Sequence, residues 1–284
     1  MCRGAFVVSH VGRLDGRTCL IVGGTGGIGL ASARRFLEEG ARVVVAGRSP
    51  EKGWPVLDEL RRLGPVWEFA IELSEGEASV VRLFEYALES LGGRLDVLLH
   101  VAGISGRKLG DGALHECSSE AWVCVMQVNA QGAFHTNRAA VRTMRKQPLD
   151  GWGLRGTVLN VGSVLDRSPS PTQFGTVAYA ASKGAVRAMT LAAAARYAPD
   201  RIRFNLLVPG LIDTPMAARA TNDTRLRPYL ATKQPLGGGP GTAVDVAEGA
   251  LYLCEPASRF VTGAELTVDG GWCVSEGQSQ DGES

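Results

Sequence analysis

The stretch TCLIVGGTGGIGLASARRFLEEG, residues 18–40, decides the fold. TCLIV (18–22) is a short unbroken apolar run, as expected of a parallel strand covered on both faces. It passes without a linker into GGTGGIG (23–29), after which LASARRFLEEG has helical composition and closes on Gly40. A strand, a glycine-dense turn and a helix start, in that order, turn backbone amides and the positive end of a helix dipole towards an anion. Only Gly lets the backbone approach a pyrophosphate closely. A phosphate-binding turn is expected here, with a plain tight turn as the alternative.

Outward from it the alternation continues. RVVVAG (42–47) reads as a second strand and 50–63 as a helix; VWEFAIEL (66–73) is a third strand, followed by a helix over 77–91. LDVLLHVAG (95–103) is the fourth strand, 118–145 is helical, TVLNVGS (157–163) is the fifth strand, and RIRFNLLVPG (201–210) follows a further helix. No composition break, repeat or long linker interrupts the series. The expectation is one α/β domain with a doubly wound parallel sheet in three layers, α/β/α. Residues 1–16 read as a short lead-in, 17–274 as the domain, and the polar SEGQSQDGES (275–284) as a disordered tail.

The helix between the fifth and sixth strands, AYAASKGAVRAMTLAAAA (178–195), carries Tyr179 and Lys183 at its start. Four residues on a 3.6-residue turn put both side chains on one face. An ammonium ~5 Å from a phenol, at an effective dielectric of ~20, stabilises the phenolate by roughly 3 kcal/mol, or about two pKa units. Tyr179 is thereby expected to fall into the range of a general acid and base.

With 30 basic and 29 acidic residues the net charge is +1, which gives no electrostatic reason to expect nucleic acid or an anionic membrane as a partner. The six cysteines form no CxxC pair and the four histidines no metal-ligand spacing, so reduced thiols and no metal are expected. No apolar run approaches the ~18 residues of a membrane helix. A cytoplasmic protein is the expectation.

In dinucleotide-binding sheets a carboxylate at the end of the second strand holds the ribose 2′-hydroxyl, and a nearby Arg accommodates a 2′-phosphate. Gly47 stands where the acid would be, with Arg48 and Ser49 after it, so NADP(H) is favoured over NAD(H).

Seven landmarks, in order, resemble the short-chain dehydrogenase/reductase family in its shorter subgroup: GGTGGIG (23–29), LDVLLHVAG (95–103), VNAQG (128–132), NVGS (160–163), YAASK (179–183), NLLVPGLIDTP (205–215) and VTGAELTVDGGW (261–272). The resemblance covers residues 15–273. It implies a Rossmann-type sheet of order 3-2-1-4-5-6-7 and an NAD(P)-dependent oxidoreductase acting on a small carbonyl or alcohol substrate. Its catalytic tetrad falls on Asn129, Ser163, Tyr179 and Lys183. The resemblance has Ser163 hold the carbonyl, Tyr179 pass the proton, and Lys183 tune Tyr179 and bind the nicotinamide ribose. Asn129, at a local opening of its helix, is to hold a water that resupplies the proton. The cofactor side falls on Gly23, Gly27, Ile28, Gly29, Glu72, Leu73, Ala102 and Gly103, and on Pro209, Gly210, Ile212 and Thr214. Glu72 takes the position of an adenine-contacting Asp.

His100 and Val101 depart from the pattern by replacing a usual pair of Asn residues, and Val22 replaces a Thr. His100 is expected to be a core histidine bonded to backbone. The segments DRSPSPTQFG (166–175) and 146–156 are longer than usual and are expected near the substrate mouth or as surface decoration. Residues 214–241 are expected to form a lid, offering Met216, Leu226, Tyr229 and Leu230 as apolar contacts among Arg219, Arg225, Arg227 and Lys233. An apolar slot with a basic rim would suit an acyl chain on a carrier protein or coenzyme A, a solvated amphipathic helix explains the same charges equally well, and sugars, steroids and small ketones stay open as substrates. An NADP(H)-dependent carbonyl reductase leads the expectations, ahead of an NAD-dependent alcohol, polyol or hydroxysteroid dehydrogenase and a non-enzymatic dinucleotide-binding protein. The Ala-rich faces of helices 119–145 and 179–198 would allow close packing between subunits or only on the subunit's own sheet, and the resemblance implies a homo-oligomer, a tetramer or dimer.

Overall fold

A computed structural model describes residues 12–48 and 50–277. Seven strands form a single sheet: β1 Thr18–Val22, β2 Arg42–Gly47, β3 Val66–Ala70, β4 Val97–His100, β5 Gly156–Val161, β6 Ile202–Pro209 and β7 Glu265–Val268. Their order is β3-β2-β1-β4-β5-β6-β7, and every pairing is parallel. The helices are α1 Gly27–Glu38, α2 Pro50–Arg61, α3 Glu77–Leu91, α4 Ser119–Val125, α5 Gly132–Met144, α6 Pro171–Phe174, α7 Val177–Tyr197, α8 Ala218–Thr221, α9 Arg227–Lys233 and α10 Ala243–Cys254.

The period-2 alternation of a strand divides its side chains between two cores. Cys19, Ile21, Val43 and Val45 pack with Phe36 and Leu37 of α1 and with Val246 and Leu251 of α10. Leu20, Val22, Val44 and Ala46 pack with Leu83 and Phe84 of α3 and Ala140 and Met144 of α5. Helices on both faces account for strands that read as continuous apolar runs.

Three sequence expectations need correction. Residues 118–145 are not one helix: a π-helical stretch, Met126–Gln131, separates α4 from α5. The third strand stops at Ala70, because Glu72 caps a 3-10 turn over Leu73–Glu75. The connection 146–156 lies at the opposite end of the sheet from the substrate mouth. It precedes β5 and joins a charged belt at the strands' amino ends, where Arg17 pairs with Asp150 and, at 3.2 Å, with Asp96. Asp96 also takes the Thr18 amide (3.0 Å) and Arg94 Nε (2.6 Å). The lead-in and polar tail lie mostly outside the described residues; within them, Ser275 receives a hydrogen bond from Lys233.

Candidate active site

The start of α7 is held by a residue 67 positions away. Thr176, the helix cap, makes no side-chain capping bond; instead the buried Asp111 accepts the amides of Ala178 (3.0 Å) and Tyr179 (2.9 Å). A carboxylate on free first-turn amides is the favourable sign for a helix N-terminus. This fixes Tyr179 opposite Ser163. Ser163 lies past the end of β5 and caps the 3-10 turn Val164–Asp166, its hydroxyl accepting the Leu165 amide at 3.2 Å and engaging the Tyr179 phenol. One turn further along α7, the buried Lys183 places Nζ 5.8 Å from the centre of the Tyr179 ring and donates to Val161 O at 2.9 Å.

Asn129 sits in the π stretch and is 1% exposed. Its Oδ1 accepts the Ile104 amide (2.8 Å), and its Nδ2 donates to Ile104 O and to Ser182 Oγ (both 3.0 Å). Local widening of a helix recurs at functional sites because it redirects backbone and side chains. Here it lets Asn129 clamp the loop after β4 to α7. A Cβ on Gly103 would lie 3.1 Å from Asn129 Oδ1 and 3.5 Å from Lys183 Nζ, so that loop runs directly against both groups. The structure thus brings Asn129, Ser163, Tyr179 and Lys183 together.

Their electrostatics differ from the sequence expectation. Burial pushes the Tyr179 phenol above its ordinary value, and the Asp166 carboxylate adds to the rise, against the hydrogen bond from Ser163. Burial lowers the Lys183 ammonium to about 8, with Asp166 opposing the fall. The cost of enclosing a charged group sets the direction of both shifts.

The glycine turn fits a dinucleotide. Gly23 has φ +90°, and a Cβ there would lie 2.7 Å from the Ala102 amide nitrogen; at Gly29 it would lie 2.0 Å from Gly23 O. Gly26 caps α1 without a side chain, and no acidic residue stands in the first turn, so the leading amides are free for phosphate. Thr214 reaches this turn from 187 residues away, its methyl lying 3.2 Å from a Cβ built on Gly27, which unites the two halves of the expected cofactor site. Ile28 packs against the core under the turn, and Ile212 is buried there too, bridging to Gly241. Pro209 ends β6; beyond it Gln234 Oε1 takes the Leu211 amide (2.6 Å) and would meet a Cβ on Gly210 at 2.5 Å. Glu72 spends Oε1 on the Ser74 amide (3.1 Å), and the Leu73 side chain is core packed against Gly132. Arg48 is exposed after β2, and Ser49 lies outside the described residues. No local pattern marks Asp111 or Gln234; each acts on a segment distant in sequence.

His100 is a core residue, but its partner is a side chain: Nδ1 lies 2.9 Å from Thr136 Oγ1, which donates to Ala133 O. Nε2 is buried without a hydrogen bond. The Asn-rich tie missing from β4 reappears beside it, where Asn160 bonds Asn137 and Thr190. Burial, with Lys183 nearby, lowers His100 to about 3. As pH falls from 6.5 towards 3, the unfolded chain takes up a proton that the folded chain refuses. Stability should therefore fall over that window by about 1.4 kcal/mol per pH unit. His100→Asn should flatten this slope in urea titrations run across the same pH range.

The lid expectation is also corrected in part. Leu226 and Leu230 are buried under the segment in a cluster with Val164, Val208 and Trp272 and face no opening. Arg225 is tied to Asp223 (2.9 Å), and the buried Lys233 lies 5.6 Å from the Trp272 ring centre, bonded to Ser168 and Ser275. The longer segment 166–175 does meet this region: Tyr229 donates to Ser170 Oγ (2.8 Å) and Trp272 Nε1 to Ser168 O (3.0 Å).

Among the described residues, no group of His, Cys, Asp and Glu could hold a metal ion, and no helix is long and apolar enough to cross a membrane.

Comparisons with known proteins agree with this geometry. The family model described as enoyl-(acyl carrier protein) reductase matches residues 23–273. A 2,5-dichloro-2,5-cyclohexadiene-1,4-diol dehydrogenase of Sphingobium indicum is 34% identical over 92% of this chain and 98% of its own. An NADP-dependent (R)-specific alcohol dehydrogenase of Lentilactobacillus kefiri is 33% identical over 92% and 98%. Among solved structures, a short-chain type dehydrogenase/reductase from Mycobacterium ulcerans superposes with a TM-score of 0.84 at 28% identity, covering 93% of this chain and 92% of that one. The chain belongs to the short-chain dehydrogenase/reductase family and is an NAD(P)-dependent oxidoreductase.

Proposed function

We propose that the protein interconverts a ketone or aldehyde and an alcohol with NADP(H) as the favoured cofactor and Tyr179 as the proton donor and acceptor. The observation that carries this reading is the placement of Lys183 one turn beyond Tyr179 on α7, its Nζ 5.8 Å from the ring centre and close to Gly103 in the loop that borders the glycine turn, with Ser163 at the end of β5 facing the phenol. A nicotinamide dinucleotide, when bound, supplies or takes the hydride. Ser163 holds the carbonyl oxygen and stabilises its growing charge. Tyr179 gives that oxygen its proton in reduction and removes it in oxidation. Lys183 binds the nicotinamide ribose and stabilises the phenolate left behind, and Asn129 keeps the π stretch open for a water that returns the proton to Lys183.

Three features support NADP(H). A side chain at position 47 would put its Cβ 2.3 Å from Thr25 Oγ1, so Thr25 stands in the place that a carboxylate at the end of β2 would need. Arg48 stands exposed next to it, and one relative is named as NADP-dependent. A charge-assisted bond to a 2′-phosphate contributes about 1.5–3 kcal/mol. Arg48→Ala should therefore raise KM for NADPH roughly tenfold while leaving NADH unchanged; an unaltered preference would favour the NAD-dependent reading.

The lid 214–241 and the segment 166–175 bound the proposed substrate entrance. Turnover on a panel of acyl thioesters, sterols, polyols and small ketones with each cofactor tests the substrate class, and no turnover on any of them would count against the reading. Trp122, Val123 and Phe134, exposed on α4 and α5, offer a surface on which a second copy would form the homo-oligomer.

A further inference from the structure

Three residues beyond Ser163 the chain encloses a carboxyl group. Asp166 closes the turn that Ser163 caps, and its side chain is 1% exposed. Oδ1 lies 3.4 Å from Arg167 Nε, while Oδ2 is buried without a hydrogen-bond partner. Leaving a carboxylate oxygen so placed is costly unless the charge is balanced nearby. The balance comes from a bridge of charges: Arg167 Nη2 lies 2.6 Å from Glu265 Oε2, and Arg187 Nε lies 2.7 Å from Glu265 Oε1. Glu265 opens β7, and Arg187 stands one helical turn beyond Lys183 on α7. The bridge thus joins the turn carrying Ser163, the helix carrying Tyr179 and Lys183, and the edge strand of the sheet.

The groups facing the Tyr179–Lys183 pair come from every element around it. Asp111 caps the helix start, Ser163 engages the phenol, neutral His100 lies near Lys183 from β4, and the Asn129 amide closes the π-stretch side. Of the two carboxylates, Asp111 is matched by two helix amides, whereas Asp166 keeps an unbonded oxygen and acts on both Tyr179 and Lys183. We propose that Asp166 is a positioning residue for this pair: enclosed in the turn that Ser163 caps, and tied through the Arg167–Glu265–Arg187 bridge to the helix that carries Tyr179 and Lys183, it fixes Ser163 against α7 and sets a buried carboxylate behind it. An enclosed negative charge there disfavours loss of a proton from either group, so the site meets its substrate in the proton-donating form, which favours carbonyl reduction near neutral pH and moves alcohol oxidation to higher pH. The inference rests on Tyr179 being the proton donor, but its test needs no substrate.

The test is the ultraviolet phenolate titration of Tyr179 in the full chain, with Tyr179→Phe as the blank for the remaining tyrosines. In Asp166→Asn the Tyr179 midpoint should fall by about one pH unit, a tenfold rise in phenolate at fixed pH. Asp166→Glu, which keeps the charge, should bring it back. A purely structural role would lower Tm in Asp166→Asn and leave the midpoint where it was, and that result would overturn the proposal. If Asp166→Asn does not fold, Arg167→Gln serves in its place. It strips a compensating charge from Asp166, so it should move the midpoint up; an unmoved or lower midpoint would sink the idea. Failure of the proton-donor reading would show separately, as turnover that survives in Tyr179→Phe.

Discussion

Tyr179→Phe is expected to lower kcat by about a thousandfold, on whichever substrate of the panel is turned over, while the dissociation constant of the cofactor stays within about a factor of two. General acid–base catalysis contributes roughly 10²–10⁴ in rate, and a thousandfold corresponds to about 4 kcal/mol of transition-state stabilisation. The substitution removes a single oxygen. The ring keeps its place at the start of α7, where Asp111 holds the backbone amides of residues 178 and 179 whatever the side chain. A loss confined to kcat therefore reports on the phenol oxygen. Single-turnover kinetics and fluorescence titration of the reduced cofactor separate the two quantities, and turnover near the wild-type rate would remove Tyr179 from the chemistry.

The second large effect is expected at the phosphate turn. In Gly29→Ala the added methyl would lie 2.0 Å from Gly23 O and 3.0 Å from the Gly24 Cα, both backbone atoms that no side-chain rotation can move. The turn must open, at a cost of about 3 kcal/mol or on the order of 10 °C in Tm, and dinucleotide binding should be lost with it. Gly26→Ala is the matched control for stability. Its φ of −168° is extended backbone, and a Cβ there meets nothing within 4 Å. Differential scanning calorimetry and isothermal titration with NADPH read the two consequences. A Gly29→Ala protein as stable as the Gly26→Ala control would contradict the close approach on which the turn depends.

Most of the fold was legible because each strand is buried on both faces and so reads as an unbroken apolar run, and because the glycine turn sits between a strand and a helix. The four positions proposed for the chemistry were picked out through motifs, and the structure brings them into one place. What escaped the sequence shares a physical cause, which is that the partner is remote. Asp111 caps a helix 67 residues on, and Gln234 holds Leu211 from across the lid. The sign of the Tyr179 shift was misjudged because the sequence shows the neighbouring amine but not the enclosure around the phenol. Leu226 and Leu230 were misjudged for a similar reason, since amphipathic spacing says that a face is covered but not what covers it. The connection 146–156 was assigned to the wrong end of the sheet because length alone says nothing of which end a loop leaves from.

The wide turn at Met126–Gln131 has a consequence for the register of everything after it. An i→i+5 turn holds about one residue more than the α-turn it replaces, and each residue advances an α-helix by about 100°, so the widening absorbs that surplus and leaves α5 in the phase of an uninterrupted helix. Thr136 and Asn137 therefore still meet His100 and Asn160 on the sheet. Deleting one residue from the stretch should restore a plain coil with those bonds intact and act on Asn129, whereas deleting one between Gly132 and Thr136 would turn both side chains away from the sheet.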